Sequence, residues 1–129
     1  MKPISVLIVD NHKSTRRTLR KFFDLDGDIK VVGEACNGQE GVELAEELQP
    51  EIILMDVKMP LMNGIEAARI IKERCLNSKI IMFSAYDDEG LVDTAIQSGA
   101  VGYLSKDDPI EDLLKAIMDV GDRQRQIEH

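Results

Sequence analysis

Four polar residues sit directly behind apolar runs and, together, have the makings of a phosphoryl-transfer site. Asp10 follows the run 4–9, Asp56 follows 52–55, Ser84 follows 80–83, and Lys106 comes just after Tyr103 and Leu104. A carboxylate is a weak nucleophile until its electrophile is held in line and the surrounding charge is neutralised. Asp10 beside Asp56 would repel it and raise one pKa unless a cation lay between them. Mg²⁺, a hard ion that takes carboxylate and phosphate oxygens, fits that need, and Mn²⁺ is a second candidate. Lys106 would add a positive charge for phosphoryl oxygens, and Ser84 a hydrogen bond. Taken singly, each has a plainer reading: a strand-end Asp caps helices, a Lys is solvated, and Ser84-Ala85 is turn chemistry.

The four gather only if their runs are parallel strands of one sheet. Run 4–9 is nearly all β-branched or leucine, as a strand covered on both faces requires. Helical spacing follows over residues 12–25, with Thr15, Leu19, Phe22 and Phe23 expected inward. A short strand at 30–35 leads to Asn37-Gly38, which starts a helix with Gly41, Leu44, Ala45 and Leu48 inward, stopped by Pro50. The strand ending at Asp56 leads through a Pro/Gly loop to a helix with Ala67, Ala68, Ile71 and Cys75 inward. Strand 79–84 precedes a helix near 88–98, with Leu91, Val92, Ala95 and Ile96 inward and Gly99 as its cap. Strand 101–104 and a helix opened by Pro109, carrying Ile110, Leu113, Leu114 and Ile117, complete five β-α units. This pattern predicts a flavodoxin-like, doubly wound α/β/α sandwich with strand order 2-1-3-4-5. Ligands of such sheets lie beyond the carboxyl ends of the strands, which makes the four residues one site.

Length and composition agree with one domain. The 129 residues are 43% hydrophobic and 31% charged, with no low-complexity tract. A domain over 1–120 and a polar linker or tail over 121–129 are expected, because the apolar period fails after Val120. No apolar stretch approaches the roughly 18 residues of a membrane helix, and no signal pattern opens the chain, so a cytoplasmic protein is expected. Cys36 and Cys75 read as reduced, partly buried thiols. A formal charge of -8 opposes direct nucleic-acid binding. Lys13, Arg16, Arg17, Arg20 and Lys21 form a basic helix, read either as a solvated face or as a docking surface for an acidic protein. His12 is expected in the first helical turn near the site. Met55, Met59 and Met62 are expected to pack the loop around Asp56.

Asp10 after the first strand, DVKMPLMNG around Asp56, FSA at Ser84 and SGAVGYLSK ending at Lys106 resemble a two-component response-regulator receiver domain of the CheY-like superfamily. The stretch GAVGYLSKDDPIEDLLKAI is most similar to the NarL/FixJ-like, LuxR-type class, whose receivers usually precede a helix-turn-helix domain. The resemblance implies that Asp56 accepts a phosphoryl group from a histidine kinase or phosphotransfer protein. It implies Mg²⁺ held by Asp10, Asn11, Asp56 and the Lys58 backbone carbonyl, with Ser84 and Lys106 on the phosphoryl group. Ser84 and Tyr103 would form the switch, reshaping the surface of the fourth helix, fifth strand and fifth helix for a homodimer or effector contact, with Asp88, Glu89 and Asp93 on the fourth-helix face. Lys58 and Tyr86 would overhang the pocket rim and slow hydrolysis.

Two departures stand out. The family shows two adjacent acids after the first strand, where this chain has Asp10-Asn11. Asn11 brings no negative charge, which predicts weaker cation binding; its plainer role is to cap the first helix. After Lys106, Asp107-Asp108 intervene before Pro109, where many receivers place proline at once. Rival readings are a pseudo-receiver acting by protein contact alone and a haloacid-dehalogenase-like phosphatase. The latter needs a second acid where Lys58 stands. A dinucleotide-binding module would need a G-x-G-x-x-G after a strand, which is missing.

Overall fold

The computed structural model describes residues 2–74, 77–85 and 89–128. Five strands and five helices alternate: β1 (Ile4–Val9), α1 (Lys13–Asp24), β2 (Ile29–Ala35), α2 (Gly38–Leu48), β3 (Ile52–Met55), α3 (Gly64–Arg74), β4 (Lys79–Ser84), α4 (Glu89–Gln97), β5 (Gly102–Ser105) and α5 (Ile110–Glu128). All neighbouring strands pair in parallel, in the order β2-β1-β3-β4-β5. The order reverses at β1, so the crevice between the ends of β1 and β3 is the switch point of the sheet.

Side-chain alternation sorts the strands into two cores. Ile4, Val6, Ile8, Ile52, Leu54, Ile81 and Phe83 face α1 and α5, meeting Leu19, Phe23, Leu113 and Ile117. Leu7, Val9, Ile53, Met55, Ile80 and Met82 face the other way, onto Val42 and Ala45 of α2, Ala67, Ala68 and Ile71 of α3, and Ala95 of α4. Small residues dominate that second set of helices, so they lie close to the sheet. One irregularity marks β2: Val6 pairs with Val31 but Leu7 with Gly33, a bulge that leaves Val32 unmatched.

Several expected details differ. Leu48 and Ile96 are exposed rather than inward, while Val42 is buried. Cys36 is a free, exposed thiol just ahead of α2 rather than a partly buried one. Cys75, Tyr86, Asp88 and His129 lie outside the described residues. The first helix is not capped by Asn11: its N-cap is His12, which makes no side-chain cap bond, and Asn11 is exposed one residue earlier. Residues 121–128, expected as a linker or tail, continue α5. Gly121 packs on Ile4, Gln124 is buried, and Arg125 Nε and Nη2 grip Glu51 Oε2 and Oε1, each at 3.0 Å. These three residues seat the helix in place of an apolar stripe.

Candidate functional site

At the carboxyl rim, backbone pairing fixes the four strand-end residues in register. Asp10 N–H donates to Ala35 O at 3.0 Å and Asp56 N–H to Val9 O at 2.9 Å, so both acids top adjacent strands. Met55 pairs with Met82 and Ser84 with Ser105, and Lys106 N–H donates to Ser84 O at 2.9 Å. The loop after Asp56 is pinched between two glycines. A Cβ on Gly64 would collide with the Asp56 carbonyl oxygen, and one on Gly38 with that of Met62. Both helix starts can approach the loop only because these positions carry hydrogen. Within the loop, Leu61 is 81% exposed and adopts φ 66°, a left-handed conformation that a leucine takes at a cost.

Lys106 is the hub. Its ammonium lies 2.7 Å from Asp10 Oδ2 and 3.3 Å from Asp56 Oδ2, while its side chain is only 17% exposed. Both carboxylates are buried. Burial first, and then the neighbouring Asp10 charge, push the Asp56 carboxyl above its ordinary range; Lys106 and the Val57 N–H, 2.8 Å from Asp56 Oδ1, oppose the rise. Asp56 is thus an acid whose ionised form depends on nearby positive charge. Asp10 Oδ1 accepts the His12 N–H at 2.8 Å, and Arg16 donates to the Asp10 carbonyl at 2.6 Å.

Of the residues expected in the site, Asp10, Asp56 and Lys106 meet directly. Ser84 is fully buried at the end of β4, on the same rim. Asn11 and Lys58 are exposed beside it. Tyr103 is half-buried on β5 and, like Leu91 of α4, packs against the core that includes Ala95. Met59 and Met62 pack against that same core. The basic helix divides: Arg16 and Arg20 pair with Glu34 of β2 at 3.3 and 2.8 Å, whereas Lys13, Arg17 and Lys21 are exposed. One participant is barely signalled by the sequence. His12 Nδ1 reaches Asp10 Oδ1 at 3.1 Å and Asp56 Oδ2 at 3.7 Å. Its place two residues after a strand-end acid was the only signal in the sequence.

Donor chemistry suits a dication. Single ligand atoms of Asp10, His12 and Asp56 lie within 4.8 Å of one another, two of them carboxylate oxygens of the hard type that Mg²⁺ prefers. Among the described residues no helix is long and apolar enough to cross a membrane.

Comparison with known proteins agrees with this geometry. The family model described as "Response regulator receiver domain" matches residues 6–118. The nitrate/nitrite response regulator protein NarL of Escherichia coli strain K12 is 45% identical over 116 residues, covering 90% of this chain and 54% of that protein. The chain therefore spans about half the length of that curated relative. A signal receiver domain from Mycobacterium tuberculosis superposes with a TM-score of 0.90 at 31% identity, covering 95% of this chain and 98% of that one. A chain from the CheX-CheY-BeF3-Mg²⁺ complex of Borrelia burgdorferi gives 0.86 at 31% identity, covering 92% of this chain and 89% of that one. With five parallel strands in the order 2-1-3-4-5 and acids at the switch point, the chain belongs to the response-regulator receiver domain family, a family of signalling domains.

Proposed function

We propose that this domain accepts a phosphoryl group on Asp56 from the phosphohistidine of a sensor kinase or phosphotransfer protein. The carrying observation is the convergence of the Lys106 ammonium on Asp56 and Asp10 in a buried setting. Asp56 oxygen attacks phosphorus, the P–N bond breaks as the P–O bond forms, and the imidazole leaves. Asp56 must be ionised to attack. Lys106 favours that state against burial and the Asp10 charge, and it can then follow the incoming oxygens. A dication bound by Asp10, Asp56 and the Lys58 carbonyl would supply further charge neutralisation; the Borrelia complex, described as containing Mg²⁺, supports that ion. Asn11 borders this position. The chain catalyses only its own modification and does not turn over a substrate.

The added group brings about two negative charges. Ser84, buried at the strand end, donates to one of its oxygens, and Tyr103 turns inward to alter the β5 and α4 surface. Typical coupling of about 1–3 kcal/mol would shift two surface states five- to 150-fold. Control of transcription through a DNA-binding region outside this chain, in the cytoplasm, fits the relatedness to NarL. The altered surface would serve a second copy or an effector.

Incubation with acetyl phosphate and Mg²⁺, read by intact mass, tests the reading. The native chain gains one phosphoryl group and Asp56→Asn gains none. Equal uptake by the variant, or steady release of phosphate from many esters, overturns it.

A further inference from the structure

The amide at Asn11 leaves the metal position one charge short, and the fold turns a different side chain toward it. His12 N–H donates to Asp10 Oδ1 at 2.8 Å, closing a tight turn directly behind β1. That turn carries the imidazole over the rim, where Nδ1 stands 3.1 Å from Asp10 Oδ1 and 3.7 Å from Asp56 Oδ2. Atoms bound about 2.0–2.2 Å from one ion, at octahedral or tetrahedral angles, lie about 3–3.6 Å apart. The His12–Asp10 spacing falls in that range, the His12–Asp56 spacing lies just above it, and all three ligand atoms are within 4.8 Å of one another, so a small adjustment lets them surround a single dication. With a side chain 58% exposed, His12 can take up a ligand position without rearrangement of the core.

We propose that His12 Nδ1 is a third side-chain ligand of this site and biases it toward first-row transition dications over Mg²⁺. The inference rests on the receiver reading and adds to it the identity of the ion. Mg²⁺ takes oxygen ligands and keeps its waters, so an imidazole offers it little. Imidazole suits Fe²⁺, Ni²⁺, Cu²⁺ and Zn²⁺, and Mn²⁺, which gains least from it among the first-row ions, serves as the spectroscopic probe. The chain thus exchanges one negative oxygen ligand for a neutral nitrogen, lowering affinity for the harder ion more than for the softer ones. The competing arrangement is a plain hydrogen bond from Nδ1–H to Asp10 Oδ1, with the ion bound elsewhere on the rim.

Metal-free protein titrated with Mn²⁺ separates the two, using electron paramagnetic resonance for affinity and echo-envelope modulation for bound nitrogen. Native protein is expected to show imidazole ¹⁴N coupling, and His12→Gln, which keeps His129, to lose it. The variant should bind Mn²⁺ about tenfold more weakly, while Mg²⁺ affinity measured by competition changes less than about twofold. Absence of nitrogen coupling, its persistence in His12→Gln, failure to bind Mn²⁺, or equal Mn²⁺ affinities would each overturn the inference. His12→Ala, melted alongside by circular dichroism, guards against a folding artefact. Phosphoryl uptake by the native chain with Mg²⁺ is scored separately. Uptake without nitrogen coupling removes only His12 as a ligand, and nitrogen coupling without uptake removes only the receiver reading.

Discussion

The two ends of the sheet treat charge in opposite ways. At the amino end, Glu51 is gripped by Arg125 through two 3.0 Å contacts, Ser5 Oγ accepts the Glu51 N–H at 2.9 Å, and Arg125 also reaches the Pro3 carbonyl at 3.1 Å. Ser78 Oγ donates to the Pro50 carbonyl close by, at 2.5 Å. Opposite charges meet there, and Arg125 holds the Glu51 carboxyl below its ordinary range. At the carboxyl end two buried acids share a single ammonium, and Asp56 is driven the other way. One end locks α5 to the strands. The other holds repulsion of the kind that positive charge relieves, as expected where function opposes stability.

The harshest way to break this contrast is Lys106→Ala. It leaves Asp10 and Asp56 facing each other without compensation, and a loss of about 3 kcal/mol is expected in metal-free urea melts. Millimolar divalent cation should return part of that loss; no recovery would mean that no ion settles between the acids.

Asn11→Asp sharpens the same end. Restoring the second acid should tighten Mg²⁺ binding by about tenfold, measured calorimetrically. Equal affinities would show that Asn11 is no handicap.

Arg125→Ala tests the opposite end, with an expected loss of about 1 kcal/mol at neutral pH. Because Glu51 is more acidic folded than unfolded, the pairing stabilises above the unfolded pKa and fades as pH falls through the folded one. Native and variant melting curves should therefore converge in acid; a constant gap would assign the effect to packing.

Leu61→Gly is the mildest. Relief of the left-handed leucine, less the extra entropy of an unfolded glycine, should raise stability by about 0.5 kcal/mol in the same melts.

The central strands β1, β3 and β4 are legible because strands covered on both faces are mainly apolar, and each of them gives way abruptly to a polar residue at its carboxyl end. Asp56, Asp10 and Lys106 were legible for the same reason: parallel pairing leaves their strand ends little freedom. Helix interiors were less so. Helical spacing carries the inward stripe on to Leu48 and Ile96, but these lie at or near the last turns of their helices and stay exposed, whereas Val42 meets the sheet earlier. The end of α5 was hidden because a long-range ion pair and a glycine on Ile4 replace the apolar stripe. His12 is barely signalled because its approach depends on a turn closed by Asp10, which no periodicity encodes.

The seating of α5 by Gly121, Gln124 and Arg125 has a mechanical corollary. A stiff shaft anchored that late conveys angle as well as distance. Each residue added or deleted beyond Arg125 would swivel a downstream module by about 100° and displace it about 1.5 Å. Fusions made at this point should accordingly respond to linker length in a sawtooth with the helical repeat.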